Sequence, residues 1–232
     1  MSVTAGEPAG LRVEGIRHRL GERVLLDGVD LDIGPGESVA VTGPSGSGKS
    51  TLLMCVLGLI KPDRGAVWVG GRELTGLPAR QLAQVRRQHM GVVFQFGELL
   101  PELTPVENVA LPVLLGGGEH RDAYRRAAEL LTELGVPQGG TPTGMLSGGE
   151  RQRAAVARAL ITDPGVLLAD EPTGALDPQA REAVADLLYT VSRERGCALL
   201  VVTHDPSVAA RAGRTLRLEA GTLMDARNGV GA

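Results

Sequence analysis

LSGGERQR at 146–153 pairs a serine with a glutamate three residues on, Ser147 and Glu150, the capping box that starts a helix. Gly148 and Gly149 follow the cap and leave the first backbone N–H groups bare at the positive end of that helix, where an anion such as a γ-phosphate can approach. On its own, an N-cap serine is a common structural device. The stretch gains its meaning from what flanks it: GPSGSGKST at 43–51 upstream and VLLADEPT at 166–173 downstream.

The upstream stretch fits G-x-x-x-x-G-K-[ST] at 43–50, between an apolar strand at 38–42 and a helix expected over 48–59. In that pattern Gly43, Pro44, Ser45, Gly46, Ser47 and Gly48 wrap phosphates with backbone N–H groups, and Thr51 follows on the helix. Lys49 places a charge on the β- and γ-phosphates and Ser50 offers a hydroxyl to Mg²⁺. Downstream, the buried strand at 166–169 meets its first polar residue in Asp170, at the strand end where open α/β sheets bind ligands. Asp170 suits a Mg²⁺ shell. Glu171 is turned another way by strand alternation, which suits a general base acting on water. His204 closes the strand LLVVTH, where a neutral imidazole can orient water and sense the γ-phosphate. Gln95 ends a further strand at 90–94, and its amide can bind Mg²⁺ or water. Taken singly, each has a plainer reading: a glycine turn, solvated carboxylates, a strand-end histidine, a surface glutamine. Asp177, before Pro178, reads first as a helix cap.

Working outward, strands at 11–20 and 24–33 form an edge sheet, and 66–69 with Gly70 and Gly71 reads as a hairpin arm. Thr104-Pro-Val-Glu107 is a second capping box, opening a helix to about 115. Glycines at 116–118 break it, and 121–134 is amphipathic and helical. A Gly/Pro/Thr-rich stretch at 135–144 precedes the helix that Ser147 starts, which Asp163–Pro164 ends. Strand and helix then alternate: a helix from Asp177–Pro178 to about 195, a strand at 198–203, a short helix from Asp205–Pro206, and a closing hairpin at 215–219 and 222–225. The expected fold is α/β: a P-loop NTPase core with a mostly parallel sheet, an N-terminal antiparallel β arm and an inserted helical lobe. One domain covers 11–232, with its core at 11–97 and 162–232 and the lobe at about 98–161. Residues 1–10 are expected to be a flexible arm.

Bulk properties narrow the class. The 232 residues are 43% hydrophobic and 22% charged with a net charge of −3. That balance disfavours direct nucleic-acid binding, which usually brings a basic excess. No apolar run approaches the ~20 residues of a membrane span, and the N-terminus lacks the pattern of a secretory signal. Cys55 and Cys197 have no paired spacing and read as reduced core residues of a cytoplasmic protein. Aromatics make up only 2%, so the core must be built from Leu, Val and Ala. Lys49 is one of two lysines against 22 arginines, which isolates it as a chosen residue.

The order GPSGSGKST, LSGGERQR, VLLADEPT resembles the ATP-binding cassette (ABC) family of ATPases over roughly 11–225. The resemblance implies Mg²⁺-dependent ATP hydrolysis, with Gln95 in the Q-loop, the signature at 146–152, Asp170 as the Walker B aspartate, Glu171 as catalytic glutamate, the D-loop at 175–177 and His204 as switch histidine. It also implies a head-to-tail dimer in which Ser147, Gly148, Gly149, Glu150 and Gln152 of one copy complete the phosphate site of the other, with Asp177 coupling the copies. The family usually stacks an aromatic on adenine before a glycine such as Gly21; here that position is Leu20, an aliphatic contact. FQFGELLPELTPVENVALPVLL at 94–115 and ADEPTGALD at 169–177 further resemble the ATPase subunits of lipoprotein-release and macrolide-export systems. That likeness implies an integral membrane permease as partner and a place on the inner face of the membrane. The surface at 95–101, with exposed-looking Leu99 and Leu100, is expected to bind that partner; the plainer reading places these leucines in the lobe core. A soluble ABC-type assembly or maintenance ATPase is the alternative, but such proteins often carry long inserts, zinc motifs or tandem cassettes, which this sequence lacks.

Overall fold

The computed structural model describes residues 10–138, 140 and 142–226. At its centre is a six-stranded sheet in the order β10-β9-β3-β8-β7-β6, built from β3 (Ser38–Thr42), β6 (Met90–Phe94), β7 (Val166–Asp170), β8 (Ala198–Val202), β9 (Arg214–Glu219) and β10 (Thr222–Asp225). All neighbours pair in parallel except β9 and β10, the expected closing hairpin. The strands are apolar on both faces because both faces are covered, as parallel sheets require. Along β7 and β8, Leu167, Ala169, Leu199 and Val201 face one core, while Val166, Leu168, Ala198, Leu200 and Val202 face another.

The second of these cores lies under an antiparallel sheet, β2-β1-β4-β5, formed by β1 (Leu11–Leu20), β2 (Arg23–Ile33), β4 (Arg64–Val69) and β5 (Arg72–Glu73). Ile16, Leu26, Val29 and Ile33 pack from it onto α1 (Lys49–Val56) and the central strands. Helix α1 is shorter than the sequence suggests. Gly58 takes φ 64°, its N–H bonds to the Cys55 carbonyl, and the Leu59 N–H bonds to Met54, which is a Schellman stop. Gly135 and Gly196 end their helices by the same pair of bonds.

The first core is shared with the helical lobe. Helices α3 (Pro105–Leu115), α4 (His120–Glu133) and α5 (Gly148–Leu160) bury Val109, Ala127, Leu131 and Val156 against the sheet and α6 (Pro178–Glu194). A short helix α7 (Pro206–Ala209) precedes β9. The lobe thus has no core separate from the sheet.

One helix was not foreseen. Helix α2 (Ala79–His89), ARQLAQVRRQH, buries Val85 and packs Leu82 on the same core, but it has no side-chain cap at Pro78, so no capping signal marks its start. Leu99 and Leu100, read either as a surface pair or as lobe core, are divided: Leu99 packs on the lobe core, while Leu100 stays 46% exposed. Residues 1–9 of the expected arm lie outside the described residues.

Candidate functional site

Sheet register gathers the expected residues along one edge. Phe94 is opposite Asp170, Asp170 opposite Val202, and Val202 opposite Val41. Gln95, Glu171, His204 and the glycine loop therefore all leave the carboxyl ends of neighbouring parallel strands, where α/β sheets place ligands.

The glycine loop turns where a side chain could not follow. A Cβ on Gly43 (φ 147°) would sit 2.4 Å from the Leu218 carbonyl oxygen, and one on Gly48 (φ 103°) 2.7 Å from that of Leu25. Lys49 is buried, and its Nζ curls back to donate to the carbonyls of Gly43 at 2.9 Å and Pro44 at 3.0 Å. The Ser47 Oγ is buried with no hydrogen-bond partner, an orphan that an anion seated in the loop would satisfy. Pro44, Ser45 and Gly46 form the exposed crest, and Ser50 is also exposed, ahead of Thr51. These features fit a phosphate group.

Ser50 Oγ donates to Asp170 Oδ1 across 3.4 Å. Burial holds the Asp170 carboxyl above its ordinary pKa, and the Ser50 hydrogen bond only partly offsets this. A carboxylate that is costly to ionise alone is relieved by a cation, and hydroxyl plus carboxylate is an oxygen donor set that suits Mg²⁺. No group of three or more His, Cys, Asp or Glu able to hold a metal occurs among the described residues. Mg²⁺ is ordinarily held by one or two carboxylates together with substrate phosphates, so no such cluster is needed.

Glu171 has φ 47°, a left-handed backbone rare for a side-chain-bearing residue and a form of strain that collects at functional sites. Its N–H is tied to the Val202 carbonyl at 2.8 Å. His204 meets its carboxylate twice: Nδ1 lies 2.8 Å from Oε1, and the backbone N–H donates to Oε2 at 3.3 Å. A hydrogen-bonded carboxylate and imidazole, reachable from the loop, can position and deprotonate a water. Gln95 is half-buried, and its amide nitrogen would be 2.9 Å from a Cβ on Gly174, so it flanks the turn after Glu171.

At the signature, Ser147 Oγ accepts from the Glu150 N–H at 3.3 Å and Glu150 Oε2 accepts from the Ser147 N–H at 2.8 Å, the expected capping box. Gly148 approaches Leu176 and Gly149 approaches Ala180, so the helix start rests on the segment after Glu171. Asp177 caps α6 with two 3.0 Å bonds from Gln179 and Ala180. Gln152, expected in the signature, is buried, and its amide donates to the Phe94 carbonyl at 2.8 Å.

Leu20 is 68% exposed, opposite Arg23 across the β1–β2 turn. Arg23 donates to the Gly46 carbonyl at 2.8 Å, which brings this turn beside the phosphate loop. Arg23 was not singled out in the sequence, because no short-range pattern carries a bond over 23 positions. Nor was Asn108, fully buried, which bonds Leu100 at both its N–H and carbonyl and reaches Thr143. The thiols of Cys55 and Cys197 are free and buried, and burial pushes the Cys55 pKa up to about 11.

Comparison with known proteins agrees with this geometry. The family model described as ABC transporter matches residues 26–174. The lipoprotein-releasing system ATP-binding protein LolD of Oleidesulfovibrio alaskensis is 48% identical over 203 residues, covering 87% of this chain and 88% of that protein. LolD of Granulibacter bethesdensis is 44% identical over 221 residues, covering 93% and 96%. Among solved structures, a dimer of the ATP-binding cassette MJ0796 in a post-hydrolysis state with ADP and Pi superposes with a TM-score of 0.81 at 36% identity, covering 92% of this chain and 96% of the other.

Proposed function

This chain belongs to the ABC transporter family and is an ATPase of that family; on that premise we propose that it is the nucleotide-binding subunit of a LolD-like lipoprotein-releasing complex. It dimerises head to tail on ATP and drives an integral membrane permease from the inner face of the membrane. No helix among the described residues is long and apolar enough to cross a membrane, so the spanning segments belong to the partner.

In this reading the loop from Gly43 to Thr51 holds the phosphates, and Lys49 exchanges its two carbonyl acceptors for phosphate oxygens. Ser50, Asp170 and Gln95 would hold Mg²⁺, which would supply charge neutralisation to the phosphates. Glu171, braced by His204, accepts a proton from the attacking water. Ser147, Gly148 and Gly149 of the second copy close over the γ-phosphate, with Glu150 holding the cap. Leu20 and Arg23 flank the base. The single observation that carries the reading is the gathering of the orphaned Ser47 hydroxyl, the Ser50–Asp170 pair and the Glu171–His204 pair at one sheet edge.

The test is turnover. Glu171→Gln is expected to bind ATP normally and to lose about 10²–10⁴-fold in kcat, the usual contribution of a positioned base. A kcat within a few-fold of wild type would remove Glu171 from this role. Co-purification of the wild-type chain with a membrane protein tests the permease; recovery of the chain alone from membranes and cytosol would favour the soluble ATPase.

A further inference from the structure

Helix α5 does more than present Ser147. Its opposite side grips the segment that leaves β6 at three backbone carbonyls. Gln152 donates to Phe94 at 2.8 Å, and Arg158 donates to Gly97 at 2.7 Å and to Glu98 at 2.6 Å. The gripped turn is tight. Gly97 and Glu98 both have left-handed backbones, φ 72° and 48°, and a Cβ on Gly97 would lie in contact with Ala155 at 3.4 Å and Gln152 at 3.5 Å. The same turn holds the Gly97 N–H on the Phe94 carbonyl at 3.0 Å. Gln95 lies inside it, and Phe96 is turned outward, 68% exposed.

Both hydrogen-bond acceptors of Arg158 on this turn are main-chain carbonyls, which are neutral. Burial alone lowers its guanidinium from the ordinary pKa, with Glu98 acting in the opposite direction. A half-buried charge spent on two main-chain carbonyls is a costly way to hold a loop, and a bidentate fork suits holding two carbonyls in fixed relation.

We propose that Arg158 is a positioning residue that makes the 94–98 turn and the signature helix one rigid body, so that Gln95 and Ser147 are placed for ATP turnover together. This rests on the proposed roles of Gln95 and Ser147. The clamp converts a displacement at Phe96 or Gln95 into the same displacement at the far end of α5. It acts without touching nucleotide.

Two variants of the full chain test it, Arg158→Gln and Arg158→Lys. In Arg158→Gln the Gly97 amide exchanges with solvent about tenfold faster or more, because a charge-assisted hydrogen-bond pair on its turn is lost. Amides in the middle of α5 keep their wild-type rates. ATP affinity stays within about twofold, since the phosphate loop is untouched, while kcat falls by about tenfold. Arg158→Lys, with a point donor in place of the fork, recovers part of both losses. Should Arg158→Gln not fold, Arg158→Lys must still show faster Gly97 exchange and a kcat loss without an affinity loss.

An unchanged kcat with faster Gly97 exchange would overturn the positioning role. So would a parallel loss of exchange protection along all of α5 together with ATP affinity, which marks a merely structural arginine. If Ser147 proves to have no part in ATP-dependent dimerisation, the shared-site reading falls; the Gly97 exchange rate still decides whether Arg158 holds the turn.

Discussion

Lys49 and Glu171 illustrate how the protein's own groups hold single residues in this site. The Lys49 ammonium is buried and bridges two loop carbonyls, so its charge is already aimed into the loop. The Glu171 carboxylate is oriented by both the ring and the backbone of His204. Leu20, the proposed base contact, is exposed, and its aliphatic side chain offers no π-face to a base. Base–aromatic stacking contributes roughly 1–3 kcal/mol, and about 1.4 kcal/mol is tenfold in affinity. Leu20→Tyr is therefore expected to tighten ATP several-fold in a fluorescence titration, and to tighten it more than a triphosphate whose base stacks poorly. No change would mean that the base is held elsewhere, with Arg23 the nearest alternative. The motifs that contain Lys49, Asp170 and Glu171 were legible because each is a run of neighbours in sequence. The bonds of Arg23 to Gly46, Asn108 to Thr143 and Arg158 to Gly97 span 23 to 61 positions, and no local pattern encodes such a bond.

At the scale of elements, the helices that could be read were those that carry their own punctuation. α3 and α5 begin in complete capping boxes, and α6 begins at Asp177–Pro178. α2 has no side-chain cap, and its place is set by packing of Leu82 and Val85 and by Arg86 donating to the Leu57 and Gly58 carbonyls. The lobe offers a clean test of capping. Thr104→Ala removes the side chain that accepts from the Glu107 N–H and should cost about 1 kcal/mol of stability in urea unfolding. The box should also be pH-dependent. Hydrogen bonds from the Thr104 backbone and hydroxyl hold Glu107 below the ordinary carboxylate pKa. Its contribution is thus present above that ordinary value and is lost as pH falls through the lowered one. In Thr104→Ala this part of the acid dependence should shrink; an unchanged stability and acid profile would show that the box does not contribute to the lobe.

For the molecule as a whole, the sheet is covered on one face by the β arm and α1 and on the other by the lobe and α6. That leaves the phosphate loop and the start of α5 on different parts of one structure, joined through β6, the 94–98 turn and the segment after Glu171. The α/β core, its arm and its inserted lobe could be read in advance, because strand–helix alternation and helix caps are local. The proposed use of one copy's signature by another could not, since no residue pattern within a chain specifies which copy its helix end will face. The central claim is that Ser147 acts on the nucleotide of a second copy, and one measurement addresses it directly. Glu171→Gln with ATP and Mg²⁺ should run in size-exclusion chromatography with light scattering at twice the 24.2 kDa of one chain. Adding Ser147→Arg to it should leave ATP binding intact, since the phosphate loop is untouched, yet abolish the dimer. A double variant that still dimerises on ATP, or one that loses ATP binding as a monomer, would contradict a signature that works in trans.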